Sequence, residues 1–166
     1  MAELAQTFNF TVTLTRSDTA TRVTRAEDIL GAAGFQECSG LQLEADIKEY
    51  LEGGRNDGVI RRVGRVKLQP LVLKRGMFLA EADGYVDDRL WNWLQSMTAG
   101  VLPIPRYDGT VQVKAPDHRR VVARWTFERG LPMKVTGPAL NGKTGDIAIE
   151  ELHIAHEGLR LESKRS

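Results

Sequence analysis

The sequence predicts a mainly β (α+β) fold: an antiparallel β-sandwich or barrel with one packed α-helix and an extended β-hairpin. Three observations point there. Apolar and polar residues alternate along several stretches, the period of a half-buried strand. A stripe at helical spacing occurs once, over about residues 86–99. Turns rich in glycine, asparagine and aspartate separate the remaining segments.

Taken in order, "TFNFTVTLTR" sets Phe8, Phe10, Val12 and Leu14 on one face and Asn9, Thr11, Thr13 and Thr15 on the other, as a half-buried strand requires. "SDTATRVTRAEDILGAAG" loses that period and reads as a long loop, about residues 16–33, holding a short helical turn at 26–30. Alternation returns in "LQLEADIKEYLEGG", with Leu41, Leu43, Ala45 and Ile47 expected inward and Gln42, Glu44, Asp46 and Lys48 outward. "EGGRNDG" makes a turn. "VIRRVGRVKLQPLVLKRG" then returns as one long strand, giving a hairpin from about Gln42 to Leu73. Pro70 cannot donate to a ladder and is expected at an edge or a bulge.

In "YVDDRLWNWLQSMTAG", Val86, Leu90, Trp93, Leu94 and Met97 share one stripe, Asp87 and Asp88 sit at the positive end, and Gly100 is the stop. Trp91 and Trp93 read as packing against a sheet. "TVQVKA", "VVARWTFERG", "MKVTG" and "IAIEELHIAHEGLRLE" follow as strands. In the last of these, Ile147 and Ile149 give way to Leu152 and Ile154. That change of parity near Glu150 implies a β-bulge or a strand passing between sheets.

With 166 residues, 42% hydrophobic and 27% charged, the chain has the composition of one globular domain spanning 1–166 with flexible termini. No apolar run approaches the roughly 20 residues that cross a bilayer, and "MAELAQTFNF" lacks the basic-then-apolar pattern of a secretory signal. A net charge of +1 provides no global field toward nucleic acid or anionic lipid. In "RRVGRVK" the cations lack the interleaved aromatics that stack bases.

Chemistry-bearing candidates are few. Cys38 is the single cysteine, which excludes an internal disulfide and a thiolate metal cage, and it reads as a buried thiol. His153 and His156, three apart, fall on opposite faces of a strand, so neither a metal pair nor any other cofactor is expected. "GPALNGKT", from Gly137 to Thr144, matches the phosphate-loop pattern in which backbone N–H groups curl round phosphate, the lysine reaches it and the hydroxyl holds magnesium. Such a loop opens a helix, whereas Ile147 and Ile149 alternate after this one, and Asn141-Gly142 reads better as a turn between strands. Nucleotide hydrolysis is thus a remote alternative, and the chain is expected not to be an enzyme.

Five blocks carry a resemblance: "GFQECSGLQLEADIKEYLEGG", "GRVKLQPLVLKRG", "LWNW", "ARWTFERGLPMKVTGPAL" and "IAIEELHIAHEGL", in that order, covering most of residues 8–160. Together they resemble the tail tube protein family of contractile phage tails and contractile injection systems, which is similar in fold to the type VI secretion tube protein. The resemblance implies a structural subunit that forms hexameric rings stacked into a hollow conduit for DNA or protein cargo. Its implied partners are other copies of itself, a sheath protein, baseplate and tail-terminator proteins, and the cargo. It implies assembly in a bacterial cytoplasm and service in a virion tail or injection particle. The long loop at 16–33 and the segment "MFLAEADGY" depart from the family pattern, as a tube-initiator ring at the baseplate would.

The resemblance also implies residue roles. Tyr50, Leu51, Glu52, Gly53, Gly54, Arg55, Asn56 and Asp57 become the inter-subunit or inter-ring contact, and Gln42, Glu44, Asp46, Lys48, Arg62, Arg65 and Lys67 the lumen lining. A two-faced hairpin of this length supports the expectation, since one small domain cannot cover it and its free edges need a partner strand.

Overall fold

A computed structural model describes residues 4–17, 30, 34–51, 53–54, 58–79 and 83–163. Its elements are β1 (Phe10–Arg16), β2 (Phe35–Ser39), β3 (Leu43–Tyr50), β4 (Ile60–Leu68), β5 (Leu71–Gly76), α1 (Arg89–Thr98), β6 (Tyr107–Lys114), β7 (Val121–Thr136), β8 (Ile149–Ala155) and β9 (Gly158–Leu161). The expected helical turn at 26–30 lies outside the described residues except for Leu30, which is buried and donates its N–H to the Leu14 carbonyl at 2.9 Å.

All strand pairings are antiparallel. Seven strands form one sheet in the order β1-β6-β7-β8-β5-β2, with β9 on β7, and the ends β1 and β2 do not meet, so the sheet is open and not a barrel. The strand β7 serves both halves. Its first part pairs with β6 and β9, and Leu131–Thr136 pairs with β8. Between them Arg129 takes φ 51, with its N–H held by Asp108 Oδ1 at 2.9 Å. A strand does pass between two halves, as the parity argument required, but it is β7.

β8 runs unbroken along β5 from Ile149 to Ile154. The parity puzzle has another cause: Glu150 points into the core with Leu152 and Ile154, while Ile147 and Ile149 lie outside it. "VVARWTFERG" and "MKVTG" prove to be one strand of 16 residues, and "IAIEELHIAHEGLRLE" two strands that follow one another in the same direction along β7 with a short break at His156-Glu157.

One core unites the halves: Val12, Leu14, Tyr107, Val111 and Phe127 from one, Phe35, Leu71, Leu73, Leu152 and Ile154 from the other, and Leu90 and Trp93 from the helix. Phe127 lies directly over Gly109, where a Cβ would come within 1.9 Å of its ring. The helix begins three residues later than expected, because Val86 pairs instead with Leu79 in an isolated bridge. Trp93 anchors it, donating Nε1–H to the Pro105 carbonyl at 2.8 Å and meeting the Tyr107 ring edge-on at 4.8 Å. Burying each such side chain contributes about 1.5–3 kcal/mol.

Candidate assembly interface

Among the described residues β3 and β4 pair only with each other and form a separate two-stranded arm. The expected hairpin to Leu73 is therefore shorter, Leu43–Leu68. At Gln69-Pro70 the return strand breaks, and β5 enters the large sheet between β8 and β2. Pro70 marks that change of sheet, where no ladder donor is needed.

The register sorts the arm into two faces. Leu43↔Leu68, Ala45↔Val66, Ile47↔Val63 and Glu49↔Arg61 share one, and Glu44↔Lys67, Lys48↔Arg62 and Tyr50↔Ile60 the other. Between Ala45 and Ile47 the register shifts, so that Arg65 and Gly64 together oppose Asp46. This bulge explains how Arg62 and Lys67, five apart, reach the same face. A side chain at Gly64 would put its Cβ 2.9 Å from the Asp46 carbonyl oxygen, so glycine is required there.

The sequence-derived lining residues Glu44, Asp46, Lys48, Arg62, Arg65 and Lys67 thus gather on one charged side, with Gln42 exposed just before β3. Lys67 Nζ lies 2.9 Å from Asp46 Oδ1, and that hydrogen bond raises the ammonium above its ordinary pKa. The Arg62 guanidinium sits 5.5 Å over the Tyr50 ring. Of the expected contact residues, Tyr50, Leu51, Gly53 and Gly54 are exposed at the end of the arm, and Glu52, Arg55, Asn56 and Asp57 lie outside the described residues.

On the apolar side the expectation fails for the isolated chain. Leu43, Ala45 and Ile47 are exposed, as are Val66 and Val63, the last at 74%. Only Leu41, before the strand, packs on the core. The reason is that the arm stands off the body, so alternation marks two faces without supplying a cover for either. Contiguous apolar surface of this kind is characteristic of interaction sites.

The other candidates are accounted for by local structure. Cys38 is partly buried and burial pushes its thiol up to about 12, which keeps it from acting as a thiolate. His153 contacts Glu151 at 2.5 Å, which lowers the Glu151 pKa, and His156 Nε2 lies 3.0 Å from the Gln69 carbonyl. Among the described residues no group of three or more His, Cys, Asp or Glu side chains could hold a metal, and no helix is long and apolar enough to cross a membrane.

Gly137–Thr144 lies in the exposed connection from β7 to β8, where Asn141 Oδ1 accepts the Lys143 N–H at 3.0 Å. A strand follows it, so the helix N-terminus that a phosphate loop needs is missing there.

Solved structures place this architecture in a class, the fold of contractile injection system components. The chain is similar to one in the PVC sheath–tube complex of an extracellular contractile injection system in its extended state, with TM-score 0.76, 17% identity and coverage of 98% of this chain and 94% of that one. It is similarly related to one in the anti-feeding prophage baseplate, with TM-score 0.77, 18% identity and coverage of 98% and 97%. A type six secretion system protein matches more distantly, with TM-score 0.54, 10% identity and coverage of 92% and 82%.

The chain belongs to the T4-like virus tail tube protein gp19 family, whose model matches residues 6–160. No curated protein matches it by sequence.

Proposed function

We propose that this chain is a structural, non-catalytic subunit of the inner tube of a contractile tail or injection particle, that it closes into hexameric rings, and that the rings stack around a lumen for DNA or protein cargo. The detached arm carries this reading. A two-stranded ribbon is marginal alone in water, and this one leaves Leu43, Ile47, Val63 and Val66 exposed. A neighbouring copy that covers the apolar face and pairs a free strand edge satisfies both deficits. The charged face, with four cations against two carboxylates (Lys48, Arg62, Arg65, Lys67; Glu44, Asp46), then lines the bore.

The end of the arm, Tyr50–Asp57, serves as the contact with an adjacent subunit or ring. Sheath, baseplate and terminator proteins are the outer and end partners, consistent with the assemblies in which similar chains occur. Assembly takes place in a bacterial cytoplasm.

A second reading, a ring that starts the tube on the baseplate, draws on the departure from the family pattern in "MFLAEADGY", of which Phe78, Leu79, Asp83, Gly84 and Tyr85 are exposed. Electron microscopy of the purified chain tests both. Stacked tubes support the repeating subunit, and single rings that elongate only when another tube protein is added support the initiator. A chain that stays monomeric, alone and with baseplate proteins, refutes both. Removing residues 53–57 is expected to leave a folded protomer that no longer stacks.

A further inference from the structure

A second surface on the same chain is left open. Just before α1, Phe78, Leu79, Tyr85 and Val86 line a cleft of about 500 Å³ together with Asp83, Asp87 and Asp88 and one cation, Arg89, which pairs with Asp87 and leaves the other two carboxylates to set the charge. Leu79 and Tyr85 are 66% and 76% exposed. The cleft is firmly held: Leu79 bridges Val86, Asp87 N–H donates to the Phe78 carbonyl at 2.7 Å, and Met77 N–H donates to the Ala148 carbonyl at 2.9 Å. Asp83 and Asp88 are exposed; Asp83 Oδ1 accepts the Tyr85 N–H at 2.9 Å, and the Asp88 side chain makes no capping hydrogen bond to the helix it precedes.

The arm offers the complement. Strand β4 carries Arg61, Arg62, Arg65 and Lys67 with no carboxylate among its residues, and Val63 and Val66 lie between them. On the apolar face Arg61 flanks Val63. Its pairing with Glu49, at 3.3 Å between largely exposed side chains, is weak enough to exchange for another carboxylate. Among the described residues, none of the arm lines the cleft of its own chain.

Resting on the tube-subunit reading, we propose that the apolar face of β4 docks in this cleft on the neighbouring copy, with Val63 and Val66 against Phe78, Leu79 and Tyr85 and with Arg61 directed at Asp83 and Asp88. A donor surface and a different acceptor surface on every copy make a head-to-tail contact, which closes into a ring or propagates as a stack.

The test mixes two variants, Val63→Cys and Leu79→Cys, assembles them and oxidises them. The native Cys38, held protonated, stays silent. Cross-linked pairs in the mixture, with neither variant pairing alone, are the expected result. In parallel, Asp88→Arg is expected to lower the assembled fraction by about tenfold or more through like-charge contact with Arg61, and Arg61→Asp added to it to restore assembly. Tubes seen by microscopy without the cross-link overturn this contact and leave the tube reading intact. Pairs formed by Val63→Cys alone overturn it in favour of a symmetric contact. A native chain that never assembles overturns the tube reading and this contact together.

Discussion

Arg75 and Glu150 face each other across β5 and β8, and Arg75 Nε donates to Glu150 Oε1 at 2.5 Å with both side chains sealed from solvent. The Arg75 guanidinium also lies 3.6 Å from Asp87, which in turn pairs with Arg89 at 2.7 Å. A chain of alternating charges therefore ties the central strands to the start of the helix.

Breaking this pair on one side strands a buried charge. Glu150→Leu is expected to destabilise the protomer by about 3 kcal/mol, while Arg75→Met with Glu150→Leu recovers most of the loss. Urea unfolding of the two variants beside the native chain checks this. Equal losses in the single and double variants would show that the pair is net stabilising by itself.

Asp87 gives the network a pH signature. Hydrogen bonding from Arg89 above all, joined by its backbone N–H and by Arg75 and opposed by burial, lowers the Asp87 pKa to about 2. Because the folded value lies below the unfolded one, the stabilisation is complete above about pH 4 and disappears as pH falls toward 2. It amounts to about 2 kcal/mol. Stability measured at stepped pH should fall across that window in the native chain, and less steeply in Asp87→Asn.

Cys38 should resist alkylation at pH 8 in the folded chain and react at once in denaturant, because its thiol is held near pKa 12. Mass spectrometry after a timed iodoacetamide pulse reads both states.

Gly64→Val should damage the arm and spare the body. The added side chain meets the Asp46 backbone at the bulge, whereas the core lies elsewhere. Thermal unfolding should shift by no more than about 0.5 kcal/mol, while tube formation falls sharply. A normal tube yield would show that the bulge is dispensable.

Lys143→Ala should change neither stability, by more than about 0.5 kcal/mol, nor assembly, since the side chain lies in an exposed connection. Nucleotide turnover that the native chain shows and this variant lacks would revive the phosphate-loop reading.

Much of this architecture was legible in advance where a local period was strong. The parity of β1 identified Val12 and Leu14, and the helical stripe identified Leu90 and Trp93, all now buried. The residues expected to line a lumen gather on one side of the arm, although Arg62 and Lys67 differ in parity, because of the bulge opposite Asp46. Other features had no local signal. "FQECS" shows no alternation, because only Phe35 is buried in β2. Gly130 and Pro132 looked like a break, yet β7 runs through them because each half of it has its own partner strand. The parity change placed near Glu150 came from following the apolar residues Ile147 and Ile149, because a carboxylate inside a core is costly until its partner is known, and Arg75 is distant in sequence. The arm's faces were evident from alternation, but what covers them depends on other molecules.

The shared strand β7 has a mechanical consequence. A single stretch of backbone crosses from one half of the sheet to the other, so a load on either half passes through covalent bonds and lateral hydrogen bonds to its counterpart, with no seam between two subdomains to shear. Amide exchange should accordingly show the two halves opening as one cooperative unit, with the arm exchanging separately and sooner.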